Sequence, residues 1–211
     1  MSKAKSHLVL LGDSIFDNAI YVPDELAVID HMRHTLPASW KATLIAHDGD
    51  VVANVENQLA KIPLDATHLV VSIGGNDALN ALGIFSNRVD TVGEGLLHLA
   101  QIRRNFQRGY RAMLWQVLSR ELPLAICTIY DAIPDLSVES QTALAIFNDT
   151  IVREAFAAKV PVIDLRLVCA ERNDYSALSP IEPSAEGGRK IALAIAEWLN
   201  SVGMGSEGLA D

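Results

Sequence analysis

Three residues spaced along the chain carry side chains or amides that suit acyl transfer: Ser14 in LLGDSIFDN, Gly49 in AHDGDVVANV and Asn76 in VVSIGGNDAL. A serine placed just after a strand and preceded by Gly-Asp can stand exposed at a strand-to-helix turn, with its backbone N–H aimed at a ligand oxygen. The alternative for Ser14 is a plain helix cap. Asn76 follows two glycines that allow close backbone approach. A side-chain amide beside two backbone N–H groups is what stabilisation of a tetrahedral oxyanion requires.

The elements that must position these residues are legible as an alternation. Apolar runs of strand length occur at His7 to Leu11, Ala42 to Ala46, His68 to Ile73, Leu124 to Ile129 and Val160 to Ile163. Segments with helical periodicity lie at Asp24 to Leu36, Val51 to Lys61, within Val89 to Arg120, at Val138 to Ala158 and at Ser184 to Ser201. The strand runs are nearly continuous in apolar residues, as strands covered on both faces are. The expected fold is therefore a three-layer αβα sandwich around a mainly parallel, five-stranded sheet. Open parallel sheets bind ligands beyond the carboxyl ends of their strands. Gly12-Asp13-Ser14, Asp48-Gly49-Asp50, Gly74 to Asp77 and Tyr130-Asp131 each follow a strand run, so all four loops are expected on one rim.

The 211 residues, half of them hydrophobic, suit one domain spanning 1–211, with a small-residue tail at 203–211 expected to be flexible. A net charge of −9 opposes binding to nucleic acid or anionic membranes. Arg103, Arg104, Arg108 and Arg111 adjoin Phe106, Tyr110, Met113, Leu114 and Val117 at helical spacing, which reads as an amphipathic helix with a solvated basic face. Cys127 and Cys169 form neither a CxxC nor a Cys/His cluster, so no disulfide framework and no metal site is expected. The loop GDSIFDN lacks both G-x-G-x-x-G and a Walker lysine, which leaves a nucleotide cofactor without support. MSKAKSH runs straight into a strand-like segment, and no apolar stretch is of membrane-spanning length; the expected location is the cytoplasm. Trp40, Trp115 and Trp198 are expected as packing residues.

In its three blocks the sequence resembles the SGNH (GDSL-like) hydrolases, over about His7 to Trp198. The opening block matches at Gly12-Asp13-Ser14, the second at Gly49, and the third, Gly-x-Asn-Asp, at Gly74 to Asp77. The resemblance implies a flavodoxin-like sheet and hydrolysis of a small-molecule ester or thioester without a metal or other cofactor. It makes Ser14 the nucleophile and assigns the oxyanion to Ser14 N–H, Gly49 N–H and the Asn76 amide. Asp13 and Asp77 are expected to brace their loops as acceptors of backbone hydrogen bonds. Asp131, with Tyr130, is expected on the rim as pocket lining or as a cap. Asp17 and Asn18 read as turn formers.

The resemblance fails at the last block, Asp-x-x-His, where ALSPIEPSAEGGRKIALAI has Ser179 and Glu182 in the two positions. None of the six histidines lies beyond His98. Three readings follow. Glu182 replaces the imidazole as general base, with Asp174 as a neighbour, a reading that needs its pKa raised by burial or by repulsion such as an acidic rim of Asp13, Asp48, Asp50 and Asp174 can supply. Alternatively His47, two residues before Gly49, turns inward as the base. In the third, the pocket lacks an efficient base and serves a weak hydrolase or a binding protein for a carbonyl or anionic ligand, with Glu182 merely capping the helix near Ser184. Substrate chain length and oligomeric state leave no mark in the sequence.

Overall fold

A computed structural model describes residues 6–204. The strands are β1 His7–Gly12, β2 Lys41–Leu44, β3 His68–Ser72, β4 Leu124–Cys127 and β5 Val162–Ile163. They form one sheet in the order β2-β1-β3-β4-β5, and every neighbouring pair is parallel. The helices are α1 Val28–Thr35, α2 Val55–Leu59, α3 Gly75–Asn80, α4 Val92–Leu118, α5 Val138–Ala157, α6 Leu165–Val168 and α7 Ala185–Met204. The αβα sandwich expected from the sequence is the fold observed.

Both faces of the sheet are buried, which explains the unbroken apolar strands. Leu8 and Leu10 of β1, Val70 of β3 and Cys127 of β4 pack with α1 and α7. Val9 and Leu11, Val71 and Ile126 face the other way, onto α2, α4 and α5. Phe106, Tyr110, Met113, Leu114 and Val117 form the buried stripe of α4. Arg111, on its outer side, pairs with Glu154 of α5 at 2.7 Å. Both cysteines are free and buried. No helix among the described residues is long and apolar enough to cross a membrane.

Several expectations needed correction. α1 starts at Val28 and not near Asp24, because Asp24 takes a left-handed φ of 68° and Val28 N donates to Asn18 Oδ1 at 2.9 Å. Segment 51–61 divides into a 3₁₀ turn, Val52–Asn54, and the short α2. α3 follows Gly74 directly, in what reads from the sequence as loop. Trp198 is buried and Trp40 packs against His68, but Trp115 is 66% exposed, so it is not a packing residue. Most of the tail expected to be flexible, from 205 onward, lies outside the described residues.

Strand order reverses direction about β1: β2 lies on one side of it and β3 on the other. Such a switch point opens a crevice at the carboxyl ends of the strands. Ser14 follows β1, Gly49 follows β2 and Asn76 follows β3, so the reversal sets the serine between the other two.

Candidate active site

The turn that presents Ser14 is made by its neighbours. A Cβ at Gly12, where φ is 133°, would overlap the Ser72 carbonyl of β3, so glycine is required for the chain to leave the sheet here. Asp13 N donates to Ser72 O at 3.1 Å, and Asp13 Oδ1 accepts from Ile15 N at 3.1 Å, an Asx turn beneath the serine. The Gln58 amide spans the adjoining loops, taking Gly12 N–H at 2.8 Å and donating to Asp50 Oδ2 at 2.6 Å. Among the described residues no α-helix starts before Val28, so Ser14 is not the cap of one. Its hydroxyl instead donates to Glu182 Oε1 at 3.0 Å, a buried contact between residues 168 positions apart.

Glu182 is held to this position through its backbone. Ile181 O accepts from the Tyr130 hydroxyl at 2.7 Å, Glu182 O from Ser176 N at 2.8 Å, and Pro183 O from Asn18 Nδ2 at 3.0 Å. Three successive carbonyls are thus gripped by three different segments. Ser179 contributes its own carbonyl, 3.0 Å from Glu182 N. The helix that follows is capped by Ser184, whose Oγ accepts from Gly187 N at 3.1 Å, and not by Glu182. Glu182 Oε2 is buried without a hydrogen-bond partner.

Burial pushes the Glu182 carboxyl up to about 7; the Ser14 hydrogen bond pulls it down and the charge of Asp48 adds to the rise. Burial likewise pushes Asp13 up to about 8, against the pull of Ile15 N–H and with help from the charges of Glu182 and Asp77. Asp77 is raised by burial too, and its Oδ2 accepts from Val52 N at 3.0 Å, tying the third loop to the second. Near neutral pH, Glu182 is therefore divided between base and acid, the range in which a carboxylate can take a proton from a serine.

Asn76 donates through Nδ2 to Asp50 O at 2.9 Å, which fixes the amide beside the Asp48-Gly49-Asp50 turn. Gly49 is exposed in that turn, closed by Asp50 N donating to His47 O at 3.1 Å. Ser14, Asn76, Asp13 and Glu182 all border one pocket. Its remaining walls are almost wholly apolar, from α3, α4, α5 and the loop after β4.

Other expected site residues lie elsewhere. The His47 ring is 74% exposed, with Nδ1 2.8 Å from Asp48 O, and it is not brought to Ser14. Asp174 does not neighbour the Glu182 carboxylate: its own carboxylate, fully buried, meets Lys190 Nζ at 2.7 Å and accepts from Glu171 N at 3.0 Å. It supports the Glu182 loop from below through its carbonyl, which accepts from Ser184 N at 2.9 Å. Asp131 is half-buried and outside the pocket lining, with Gln141 Nε2 donating to its carbonyl at 3.3 Å. Asn18, read from the sequence as a turn former, is fully buried and joins two segments. An asparagine four residues beyond the serine was the only signal it left.

At the switch point of the parallel sheet a serine is hydrogen-bonded to a buried carboxylate, and both border an apolar pocket with an asparagine. The family model for GDSL-like lipase/acylhydrolases matches residues 10–190, and the chain belongs to that family. No curated protein matches it significantly in sequence. Among solved structures, it is similar to the lipase Lip_vut3 from a goat rumen metagenome, at 17% identity and TM-score 0.70, covering 91% of this chain and 96% of that one. It is also similar to the extracellular lipase of Streptomyces rimosus, at 17% identity and TM-score 0.65, over 91% and 99% of the two chains. Phospholipase A1 of Streptomyces albidoflavus aligns at 14% identity and TM-score 0.66, over 92% and 99%. At these identities the likeness is one of fold.

Proposed function

We propose that the protein hydrolyses carboxylic esters or thioesters through an acyl-enzyme on Ser14, with Glu182 as the general base. The observation that carries this reading is the buried hydrogen bond from Ser14 Oγ to Glu182 Oε1 at 3.0 Å. Attack of Oγ on the carbonyl carbon passes the hydroxyl proton to Glu182 Oε1 and forms the tetrahedral adduct. Ser14 N–H, Gly49 N–H and the Asn76 amide take its oxyanion. Collapse breaks the bond to the alcohol or thiol, which leaves with the proton held by Glu182. Water then repeats the sequence on the acyl-enzyme, giving its proton to Glu182, and the acid is released as Ser14 regains its proton.

A histidine base relies on a partner to set its tautomer and orientation. A carboxylate has no tautomer to choose, and the grips on Ile181, Glu182 and Pro183 orient this one through its backbone. No acidic residue at 179 is then needed. The test is turnover of a short-chain chromogenic ester by wild type, Ser14→Ala and Glu182→Ala. Turnover by wild type that both substitutions abolish supports the reading; a wild type without turnover, or an undiminished Glu182→Ala, refutes it.

A further inference from the structure

Glu182 stands on a narrow ribbon whose other arm carries a buried charge that no step of the reaction uses. Segments 174–176 and 182–184 run antiparallel: Ser176 N donates to Glu182 O at 2.8 Å, Ser184 N donates to Asp174 O at 2.9 Å, and Tyr175 lies opposite Pro183. The bonds from Tyr130 and Asn18 hold the second arm, at Ile181 and Pro183. The first arm is held by Ser176 Oγ, which donates to Tyr21 O at 2.6 Å, and at Asp174, whose fully buried carboxylate meets Lys190 Nζ of α7 at 2.7 Å. Gly187, one turn before Lys190, lets α7 come close enough for this, since a Cβ there would overlap the Asp174 carbonyl. Lys190 Nζ also lies 3.7 Å from the carboxylate of Glu171, which is exposed.

We propose that Lys190 and Asp174 are positioning residues for the contact between Ser14 and Glu182: their ion pair locks the first arm of the ribbon onto α7, and the ribbon carries that lock to the Glu182 carboxylate. This rests on the hydrolase reading above and adds the groups that keep its base within reach of the serine. A buried carboxylate deprived of its cation draws water in or moves toward it. Asp174 reaches water only if the first arm lifts from α7, and the bonds from Ser176 N and Ser184 N make Glu182 follow. A displacement of about 1 Å at a reacting group costs on the order of a hundredfold in rate. The same lift lets water reach the Glu182 carboxyl, which burial now holds high. The ionisable groups whose charge Glu182 meets, Asp13, Asp48, Tyr21 and Tyr130, stand on other segments.

Lys190→Met, assayed well below its Tm, tests the proposal. On a short-chain chromogenic ester kcat falls about ten- to a hundredfold while KM changes by less than about twofold. The acid limb of kcat/KM moves down from near pH 7, because loss of burial returns the Glu182 carboxyl toward the ordinary carboxylate range. In an Asp174→Asn background, where no buried charge needs a partner, Lys190→Met lowers kcat little further, so the two substitutions are not additive. A fall in rate that matches the loss of folded protein, with the limb unmoved, overturns the proposal. So does a limb that moves up, which would mean that the Lys190 charge acts on Glu182 directly, and so do additive effects. Should Lys190→Met not fold, Lys190→Gln is read in the same way. If the wild type turns over no ester, the hydrolase reading fails, and hydrogen exchange decides the ribbon. Faster exchange at the Ser176 and Ser184 amides in Lys190→Met than in wild type sustains the lock; unchanged exchange overturns it.

Discussion

Asn18 Nδ2 donates to the Pro183 carbonyl at 3.0 Å, tying the turn after Ser14 to the residue next to Glu182. The same side chain accepts from Val28 N at 2.9 Å, so one buried amide sets the start of α1 and the placement of Glu182. Asn18→Ala strands both backbone groups, at a cost of about 1–3 kcal/mol. Thermal unfolding should show a Tm lower by several degrees. Ester turnover should show kcat falling more than KM changes, since Asn18 does not touch substrate. An unaltered kcat would show that Glu182 needs no such support.

The raised Glu182 carboxyl sets a pH limb. If Glu182 is the base it must be ionised, so kcat/KM should rise with pH and reach half its plateau near pH 7, where burial has pushed the group. Glu182→Gln should remove the limb and lower the rate by roughly 10²–10⁴-fold. Glu182→His should not exceed wild type, because residue 179 is a serine and supplies no carboxylate to orient the ring. A sharp gain from Glu182→His would instead mark a decayed triad.

Asp13 links the site to stability. Its carboxyl is raised by burial to about 8, so the folded state binds a proton that the unfolded chain releases near pH 4. Stability from this group is full below the unfolded value and is lost as pH climbs toward 8. Asp13→Asn, which cannot ionise, should gain on wild type over that span. Melting curves should show the difference in Tm moving toward the variant by several degrees between pH 5 and pH 8, whereas a constant difference would contradict the assignment.

Gly187 allows α7 to approach the segment carrying Asp174 closely. A Cβ there would run into the Asp174 carbonyl, backbone that cannot yield like a side chain. Gly187→Ala should therefore cost about 1–3 kcal/mol through strain, with loss of activity because Ser184 N bonds to that same carbonyl. Denaturant titration reads the first effect and ester turnover the second.

The sheet was legible because each strand buries both faces, as Leu8 and Leu10 against Val9 and Leu11 show, and continuous apolar runs leave little choice of element. The start of α1 was not, since it is set by the φ of Asp24 and a bond from Asn18, neither of which alters hydrophobic periodicity. Ser14, Gly49 and Asn76 could be picked out because strand ends and glycines mark them. The contact of Ser14 with Glu182, in contrast, depends on backbone bonds from Tyr130, Ser176 and Asn18, partners scattered over the chain. Asp174 shows the reverse case. An acidic residue eight positions from Glu182 invites pairing with it, but a turn and Lys190 direct its carboxylate elsewhere.

Labelling by an alkyl phosphonate tests the central claim most directly, since it requires both a nucleophilic serine and a group to take its proton. Intact-mass and peptide analysis should find one phosphonate per chain, on Ser14, added at a rate that rises through about pH 7 and collapses in Glu182→Gln. A wild type that stays unlabelled, or a Glu182→Gln variant labelled as fast as wild type, would contradict the assignment of Ser14 and Glu182 as nucleophile and base.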